Sequence, residues 1–350
     1  MPPLPVAPLP ADDLAHILRH TAPLWRELDG ARFFITGGTG FFGLWLLETL
    51  AYARQQLDLD LKATALTRDF PAFAAKAPHL AGDAMFGWQE GDVRTFPFPP
   101  GEFSHIVHAA ATSSYPVPAQ EMLDTLVDGT RRVLRFAAQS RCRRLLLVSS
   151  GAVYGVQPPE LPRLPETHPH APDPLDPASA YGEGKRMAEL LCAIATQQGI
   201  SCVIARCFAF IGPHLPLDAH FAAGNFLSDA ARGGPIHVNS DGRSLRSYLY
   251  MADLMIWLLT ILLHGTPARA YNAGSDKVLS VADLARRVKT ASGIMDAVLV
   301  RDPPSSAPPP RYAPDIRRAR EELGLEVRIG IDEAILRTMN WMKGTTRNEH

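Results

Sequence analysis

The 350-residue sequence predicts an α/β protein built on a parallel sheet with helices on both faces. Two observations lead to this prediction. Apolar runs of strand length recur along the first two hundred residues, and Leu145–Val148 is purely apolar. The stretches between these runs have the length and periodicity of helices. Strands that are apolar along their whole length are buried on both sides, as in a parallel sheet between helical layers.

A glycine cluster directly after the first apolar run narrows the fold further. Residues 32–36 have strand character, residues 37–43 contain four glycines, and an apolar helical pattern follows from residue 44. Glycines here let the backbone turn tightly and approach a pyrophosphate, and the helix N-terminus offers its N–H groups to the phosphates. The sequence therefore predicts a Rossmann-type, doubly wound sheet with a dinucleotide site at this turn.

The remaining elements can be justified in order along the chain. An amphipathic helix within 12–28 precedes the first strand and forms an added arm, expected to pack on the core or on a partner subunit. The next strands are expected at 61–67, 84–89, 103–109, 144–149 and 201–207, and helices at 41–56, 118–139 and 179–198. The alternation loosens beyond residue 208. We therefore predict an arm at 1–30, a dinucleotide-binding domain at 31–208 and a smaller α/β substrate lobe at 209–345, placed over the carboxyl ends of the strands.

Composition and charge exclude several classes of function. A net charge of −1 with 46% hydrophobic and 20% charged residues is typical of a soluble globular protein without a nucleic-acid or membrane partner. The apolar run at 254–263 is too short to cross a bilayer, and residues 1–10 lack the pattern of a signal peptide. The four cysteines have no C-x-x-C spacing, so we expect reduced thiols in a cytoplasmic protein without a metal site.

Tyr181 and Lys185 are the strongest candidates for chemistry. Residues four apart on a helix face the same way, and a nearby ammonium lowers the pKa of a tyrosine. The phenol can then exchange a proton with a substrate hydroxyl near neutral pH. The Y-x-x-x-K spacing alone is common on helices. It gains weight here because the buried strand 144–149 delivers serines at its carboxyl end, where a hydroxyl can bond the same substrate oxygen.

Together these motifs resemble the extended short-chain dehydrogenase/reductases, the nucleotide-sugar epimerase/dehydratase family. The resemblance covers about residues 31–342. The motifs that carry it are Thr36–Gly43, Gly91–Arg94, His108–Ala111, Ser149–Gly155, Tyr181–Lys185, Arg206, Gly212-Pro213, Arg246–Tyr248 before Asp253, and Tyr271–Ser275.

The resemblance implies roles for individual residues. Tyr181 is the general acid/base, Lys185 lowers its pKa and binds the nicotinamide ribose, and Ser150 takes the position of the catalytic Ser/Thr. The implied cofactor contacts are Gly37, Gly40, Phe41, Phe42, Gly43, Thr67, Arg68, Asp92, Val93, Ala109, Ala110, Ala111, Tyr181 and Lys185. The implied substrate contacts are Ser150, Asn225, Arg246 and Arg311. Arg246 would hold a diphosphate bidentately, and a homodimer is implied through helices 118–139 and 179–198.

The choice of cofactor depends on the end of the second strand. NAD-specific members place an aspartate there to bind both ribose hydroxyls. This chain has Thr67-Arg68, and a small hydroxyl followed by a guanidinium suits a 2′-phosphate better. NADP(H) is therefore favoured over NAD(H), while Asp69, one step further on, keeps NAD open.

Departures from the family pattern reduce the number of family reactions that this chain could catalyse. Family 4,6-dehydratases have an acidic pair, and uronic-acid decarboxylases a glutamate, where this chain has Gly151-Ala152. Neither residue can act as an acid or base, so dehydration is disfavoured unless Glu183 or His214 substitutes. Leu126 and Ala209 also replace asparagines that the family often has, which puts the geometry on the sugar side in doubt.

We therefore predict an NAD(P)-dependent oxidoreductase that transfers a hydride at C4 of a nucleoside-diphosphate sugar, in cell-surface polysaccharide or nucleotide-sugar metabolism. The outcome is either epimerisation through a transient 4-keto sugar or net reduction of a 4-keto sugar. The alternatives are a 4,6-dehydratase with a displaced acid/base, a reductase of a non-sugar carbonyl, and a non-catalytic NAD(P)-sensing protein.

Overall fold

The computed structural model describes residues 5–111, 117–217, 221–303 and 305–347. The strands are β1 Arg32–Thr36, β2 Lys62–Thr67, β3 Phe86–Glu90, β4 His105–His108, β5 Arg144–Ser150, β6 Ser201–Cys207, β7 Phe210–Ile211, β8 Ile236–Val238, β9 Leu245–Ser247, β10 Leu249–Tyr250, β11 Ala270–Ala273, β12 Val278–Ser280, β13 Val298–Val300 and β14 Arg311–Tyr312. The α-helices are α1 Ala11–His20, α2 Phe41–Leu57, α3 Phe70–Lys76, α4 Pro78–Ala81, α5 Ala119–Gln139, α6 Ala180–Gln197, α7 Ala222–Ala231, α8 Met251–His264, α9 Val281–Ser292, α10 Arg317–Leu323 and α11 Ile331–Arg347.

In the described part of the chain, the main sheet has seven strands in the order β11-β6-β5-β4-β1-β2-β3. All neighbours from β6 to β3 in this order pair in parallel. The order reverses between β1 and β4, where the chain crosses from one half of the sheet to the other. Ligands of doubly wound sheets bind at the carboxyl ends of the strands at this switch point. The predicted Rossmann-type fold is confirmed.

The described chain forms two compact units, each built from several segments. The first contains the residues up to Gly155 together with His170–Cys207 and Met255–Tyr271, and it holds most of the main sheet. The second contains Val156–Pro169, Phe208–Leu254 and the residues from Asn272 onward. The second unit includes the three-stranded sheet β12-β9-β14. The domain boundaries predicted from the sequence remain predictions.

Aromatic packing forms the core of the first unit. Phe34 on β1 is fully buried, and its ring stacks on Phe96 at 5.3 Å between centroids. The same ring meets Phe136 of α5 edge-on at 4.6 Å. Edge-to-face and offset pairs add to the free energy gained by burying aromatic area. This core fixes β1, and with it the glycine turn that follows.

The N-terminal arm packs on the first unit. Ile17, Trp25 and Leu28 are fully or almost fully buried, and the backbone N–H of Leu9 donates to Oε2 of Glu48 on α2 at 2.7 Å. The arm is thus attached to the helix that follows the glycine turn. Among the described helices, none has both the length and the apolar character needed to cross a membrane.

Candidate active site

The glycine turn between β1 and α2 is packed closely against the backbone at Ala109 and against itself. Gly37 has φ +75°, and a Cβ there would lie 2.6 Å from the carbonyl oxygen of Ala109. A Cβ on Gly43 would overlap the backbone of Gly38. Side chains are therefore excluded where the fold family brings a pyrophosphate to the N-terminus of the helix. The first turn of α2 has no acidic residue, which suits an anion at this end.

A buried chain of hydrogen bonds joins the turn to the end of β4. Thr130 Oγ1 donates to the carbonyl of Leu126 at 2.6 Å, so it accepts from Nε2 of His108 at 3.0 Å. Nδ1 of this histidine then accepts from Oγ1 of Thr36 at 2.7 Å, and that oxygen accepts from Ala110 N–H at 3.2 Å. Burial lowers the histidine pKa to about 3, so the ring is neutral. The chain fixes the segment Ala109–Ala111, which was predicted to line the cofactor.

Ser150 and Tyr181 meet at the carboxyl end of β5. Ser150 is the last residue of the strand, and its Oγ accepts a hydrogen bond from Ala152 N–H at 3.1 Å. The Ser150 side chain acts to lower the pKa of Tyr181, which places the two hydroxyls near each other. Both hydroxyls can therefore reach one substrate oxygen, as the sequence suggested for the serine.

Lys185 lies one turn after Tyr181 and is buried. Its Nζ donates to the carbonyl of Val148 at 2.7 Å and lies 5.9 Å from the centroid of the Tyr181 ring. Burial lowers the pKa of Lys185 to about 8. Burial also raises the pKa of Tyr181, partly offset by the Ser150 hydrogen bond. The expected lowering of the Tyr181 pKa is thus not seen in this structure, because desolvation of the phenolate outweighs the favourable contacts.

A polar network behind this pair was missed by the sequence reasoning. Ser149 Oγ donates to Oε1 of Glu189 at 2.6 Å, and Nη2 of Arg206 donates to Oε2 at 2.7 Å. Arg206 also donates to the hydroxyl of Tyr154 at 2.9 Å. The network ties β5, α6 and β6 together next to Ser150. The sequence feature that could have revealed this network is Glu189, which lies four residues after Lys185 on the same helix face.

The acidic side chains around the end of β2 are bound to the start of α3. Asp69 Oδ1 accepts from Ala72 N–H at 2.9 Å and caps the helix. Glu90 Oε1 accepts from Phe70 N–H at 3.0 Å. Both satisfy amides that a helix N-terminus leaves without intrahelical partners. In the sequence analysis, Asp69 was the residue that left NAD as a possible cofactor. In the structure its carboxylate caps α3.

The predicted adenine site lies after β3. Asp92 binds Arg94 in a bidentate pair with distances of 2.7 and 2.9 Å, and this pair lowers the pKa of the aspartate. Val93 is buried against α5, where a Cβ on Gly129 would lie 2.9 Å from its Cγ1. Asp92 and Val93 are therefore both held in place by protein contacts.

Glu183 and His214 were considered in the sequence analysis as substitutes for the missing acidic pair. Glu183 lies 3.6 Å from Arg186 on α6, a partly exposed pair at i,i+3. His214 belongs to the second unit, where its ring meets Trp341 edge-on at 4.7 Å.

In the second unit, Arg246 and Arg311 lie on paired strands. The register places Tyr312 opposite Arg246 and Arg311 opposite Leu245. Since successive side chains of a strand alternate, the two arginines lie on opposite faces. Arg246 lies 5.9 Å from the Tyr312 ring centroid, and Arg311 donates to the carbonyl of Pro162 at 3.4 Å.

Asn225 belongs to the first turn of α7 in this unit, beside a close approach of two backbones. A Cβ on its neighbour Gly224 would overlap the carbonyl oxygen of Pro216. The substrate roles of Asn225, Arg246 and Arg311 remain predictions.

Comparison with known proteins leads to the family that the sequence motifs resemble. The NAD dependent epimerase/dehydratase family matches residues 33–274. The UDP-glucuronic acid decarboxylase 1 of Xenopus tropicalis is 27% identical over 325 residues, covering 91% of this chain and 73% of the relative. The UDP-glucuronic acid decarboxylase 3 of Arabidopsis thaliana is 29% identical over 309 residues, covering 87% and 86%. The UDP-glucuronic acid 4-epimerase of Bacillus cereus, solved in complex with NAD, has the same fold, with a TM-score of 0.74 at 18% identity over 90% of this chain and 99% of that chain.

Proposed function

The chain belongs to the NAD-dependent epimerase/dehydratase family, and from this membership we propose that it transfers a hydride at C4 of a nucleoside-diphosphate sugar. The observation that carries the proposal is the position of Ser150 at the end of β5 beside Tyr181, with Lys185 buried one turn further along α6 and bound to the carbonyl of Val148. Two hydroxyls and an ammonium at the carboxyl end of β5 suit an alcohol–carbonyl interconversion, in which a proton must reach or leave an oxygen.

The residues around the switch point fit a nicotinamide dinucleotide. The turn at Gly37 and Gly43 has no room for side chains, and the segment Ala109–Ala111 is fixed beside it. When bound, the cofactor supplies or accepts the hydride. The protein positions the oxygen and moves its proton.

The proton state of the site supports donation to a keto oxygen. Because the pKa of Tyr181 is raised, the phenol keeps its proton at neutral pH and can give it to a carbonyl oxygen held by Ser150. Lys185, with a pKa of about 8, is mostly protonated at pH 7 and stabilises the phenolate that results. Both a 4-keto-sugar reductase and the second half-reaction of a 4-epimerase need this donation.

The proposed substrate has a diphosphate because Arg246 presents a guanidinium on the Tyr312 side of β9. A guanidinium matches phosphate oxygens in bidentate geometry. Asn225 is proposed to contact the nucleotide, and Arg311 to contact a part of the substrate other than the phosphates at Arg246, because the two arginines lie on opposite faces of the strand pair. UDP-linked sugars are the first to test because the relatives act on UDP-glucuronic acid by their names.

A second candidate is oxidation at C4 followed by loss of the C6 carboxylate. The relatives named UDP-glucuronic acid decarboxylase favour it. Ala152 argues against it, since this chain has a methyl group where the family's decarboxylases have a glutamate. A UDP-pentose formed from UDP-glucuronic acid would establish decarboxylation, whereas a C4 epimer or a reduced sugar would support the main proposal.

The test is turnover of UDP-, CDP-, GDP- and dTDP-sugars by purified protein, with NADPH consumption followed in parallel. Tyr181→Phe should lower kcat about 100-fold or more while leaving cofactor binding intact. Tyr52→Phe removes the same hydroxyl from the middle of α2 and serves as the matched control. Unchanged turnover in Tyr181→Phe would reject the mechanism, and turnover without net use of NADPH would select the epimerase.

We also propose a homodimer that works in the cytoplasm. Met187, Leu190 and Ile194 of α6 are 42%, 54% and 42% exposed and lie on one face of the helix. Apolar faces of this kind commonly form subunit contacts. Leu190→Glu should shift the mass in light scattering from dimer to monomer, with Leu57→Glu, the same change at a 44% exposed leucine at the end of α2, as control. The four free cysteines suit a reducing compartment.

A further inference from the structure

Lys76 lies at the end of α3, the helix after β2, and its side chain reaches back to the glycine turn. Nζ donates to the carbonyl oxygen of Thr39 at 3.2 Å, across 37 residues of sequence. The side chain is half-buried, and burial lowers the pKa of its ammonium. Among the described residues, no carboxylate contributes to that pKa or forms an ion pair with Lys76.

A half-buried ammonium without a counterion is an incomplete arrangement. Desolvation makes the charge unfavourable unless an anion or several hydrogen bonds compensate, and Thr39 uses one of three N–H donors. The site therefore suits an anion from a ligand. In doubly wound folds the adenosine ribose of the dinucleotide binds between the glycine turn and the end of the second strand, which is the region that Lys76 and Arg68 flank.

The nearby acidic groups do not offer the usual ribose contacts. Asp69 and Glu90 are both bound to amides at the start of α3, and β2 ends in a threonine. We propose that Lys76, together with the exposed Arg68, binds the 2′-phosphate of NADP(H) and determines the preference for that cofactor. This inference rests on the proposed function and deepens it.

The N-terminal arm gives Lys76 its position. Val6 N–H donates to the carbonyl oxygen of Lys76 at 2.7 Å, and Leu9 N–H is bound to Glu48 of α2. Glu48 also lies 3.3 Å from Nε2 of His79 in α4. The arm thus ties the segment carrying Lys76 to the helix of the glycine turn. The arm thereby positions the Lys76 ammonium that binds the 2′-phosphate in this proposal.

The experiment compares the dissociation constants of NADPH and NADH by fluorescence titration of the full-length protein. Lys76→Gln keeps an N–H donor for the Thr39 carbonyl and removes the charge. Lys62→Gln removes the same charge from the exposed, opposite end of β2 and is the matched control. We expect the wild type to bind NADPH at least tenfold more tightly than NADH. Lys76→Gln should weaken NADPH about tenfold and NADH less than twofold, and the control should change neither.

Other results would overturn the inference. If the wild type binds NADH as tightly as NADPH, no 2′-phosphate site exists. If Lys76→Gln weakens both cofactors equally, Lys76 acts on the shared pyrophosphate or on the turn itself. If neither cofactor binds, the proposed function fails as well, whereas binding of NADH alone overturns only the role of Lys76.

Discussion

Two cationic side chains in the sheet-containing unit differ in how far the protein compensates their charge. Arg206 is largely buried, with hydrogen bonds to both carboxylate oxygens of Glu189 and one to Tyr154. Lys76 is half-buried and has the carbonyl of Thr39. The first cation is fully compensated by the protein and holds strands and a helix together. The second is compensated only in part and is available to a ligand. A buried charge indicates a binding site when its counterion is missing, and a structural element when the counterion is present.

The largest effect should come from breaking the compensated pair. Glu189→Ala leaves the guanidinium of Arg206 without its anion, so the free energy of unfolding should fall by about 3–5 kcal/mol. Urea denaturation measures it. Glu102→Ala is the control, since Glu102 pairs with Arg141 where the side chains are 68% and 79% exposed, and should lose less than about 1 kcal/mol. Similar losses in the two variants would show that burial does not distinguish the pairs.

The next effect concerns Lys185, a buried cation bound to a carbonyl. Its pKa falls from 10.5 to about 8 on folding, so between these values the unfolded chain binds more protons than the folded one. Lys185 therefore destabilises the fold by about 3 kcal/mol below pH 8, and this penalty disappears as the pH rises towards 10.5. The difference in unfolding free energy between Lys185→Met and wild type should shrink over that range. A difference independent of pH would refute the assigned pKa.

The smallest effect is expected for the uncompensated cation. Lys76→Met removes a charge that has no counterion, so the unfolding free energy of the cofactor-free protein should stay within about 1 kcal/mol of wild type. Arg206→Met, the same change at the compensated site, should cost several times more. Denaturation of both variants without added cofactor measures the two changes in unfolding free energy. A large loss at Lys76 would assign it a structural role.

Much of the fold could be predicted because its signals are local. Apolar strand-length runs, the glycine cluster at 37–43 and helical spacing each act over a few residues, and together they predicted a parallel, doubly wound sheet, which the structure has. The positions of Ser150, Tyr181 and Lys185 followed from the same logic, since a strand end and one helix turn fix them. The catalytic roles of these three residues remain predictions.

What could not be predicted depends on tertiary burial and register. The pKa of Tyr181 rises because the folded chain removes water from the phenol, which helical spacing does not reveal. The opposite faces of Arg246 and Arg311 depend on the alignment of two very short strands. The contact of Lys76 with Thr39 joins segments far apart in sequence, and no local pattern marks it.

The spacing of Tyr181, Lys185 and Glu189 limits how α6 can change in length. All three lie on one face because four residues make slightly more than a turn. Inserting one residue between Tyr181 and Glu189 would rotate one end of the helix by about 100° relative to the other. The Tyr181 hydroxyl and the ion pair of Glu189 with Arg206 could then not both face β5. Insertions and deletions in this helix should therefore be tolerated only outside that span, where the loops before and after can absorb them.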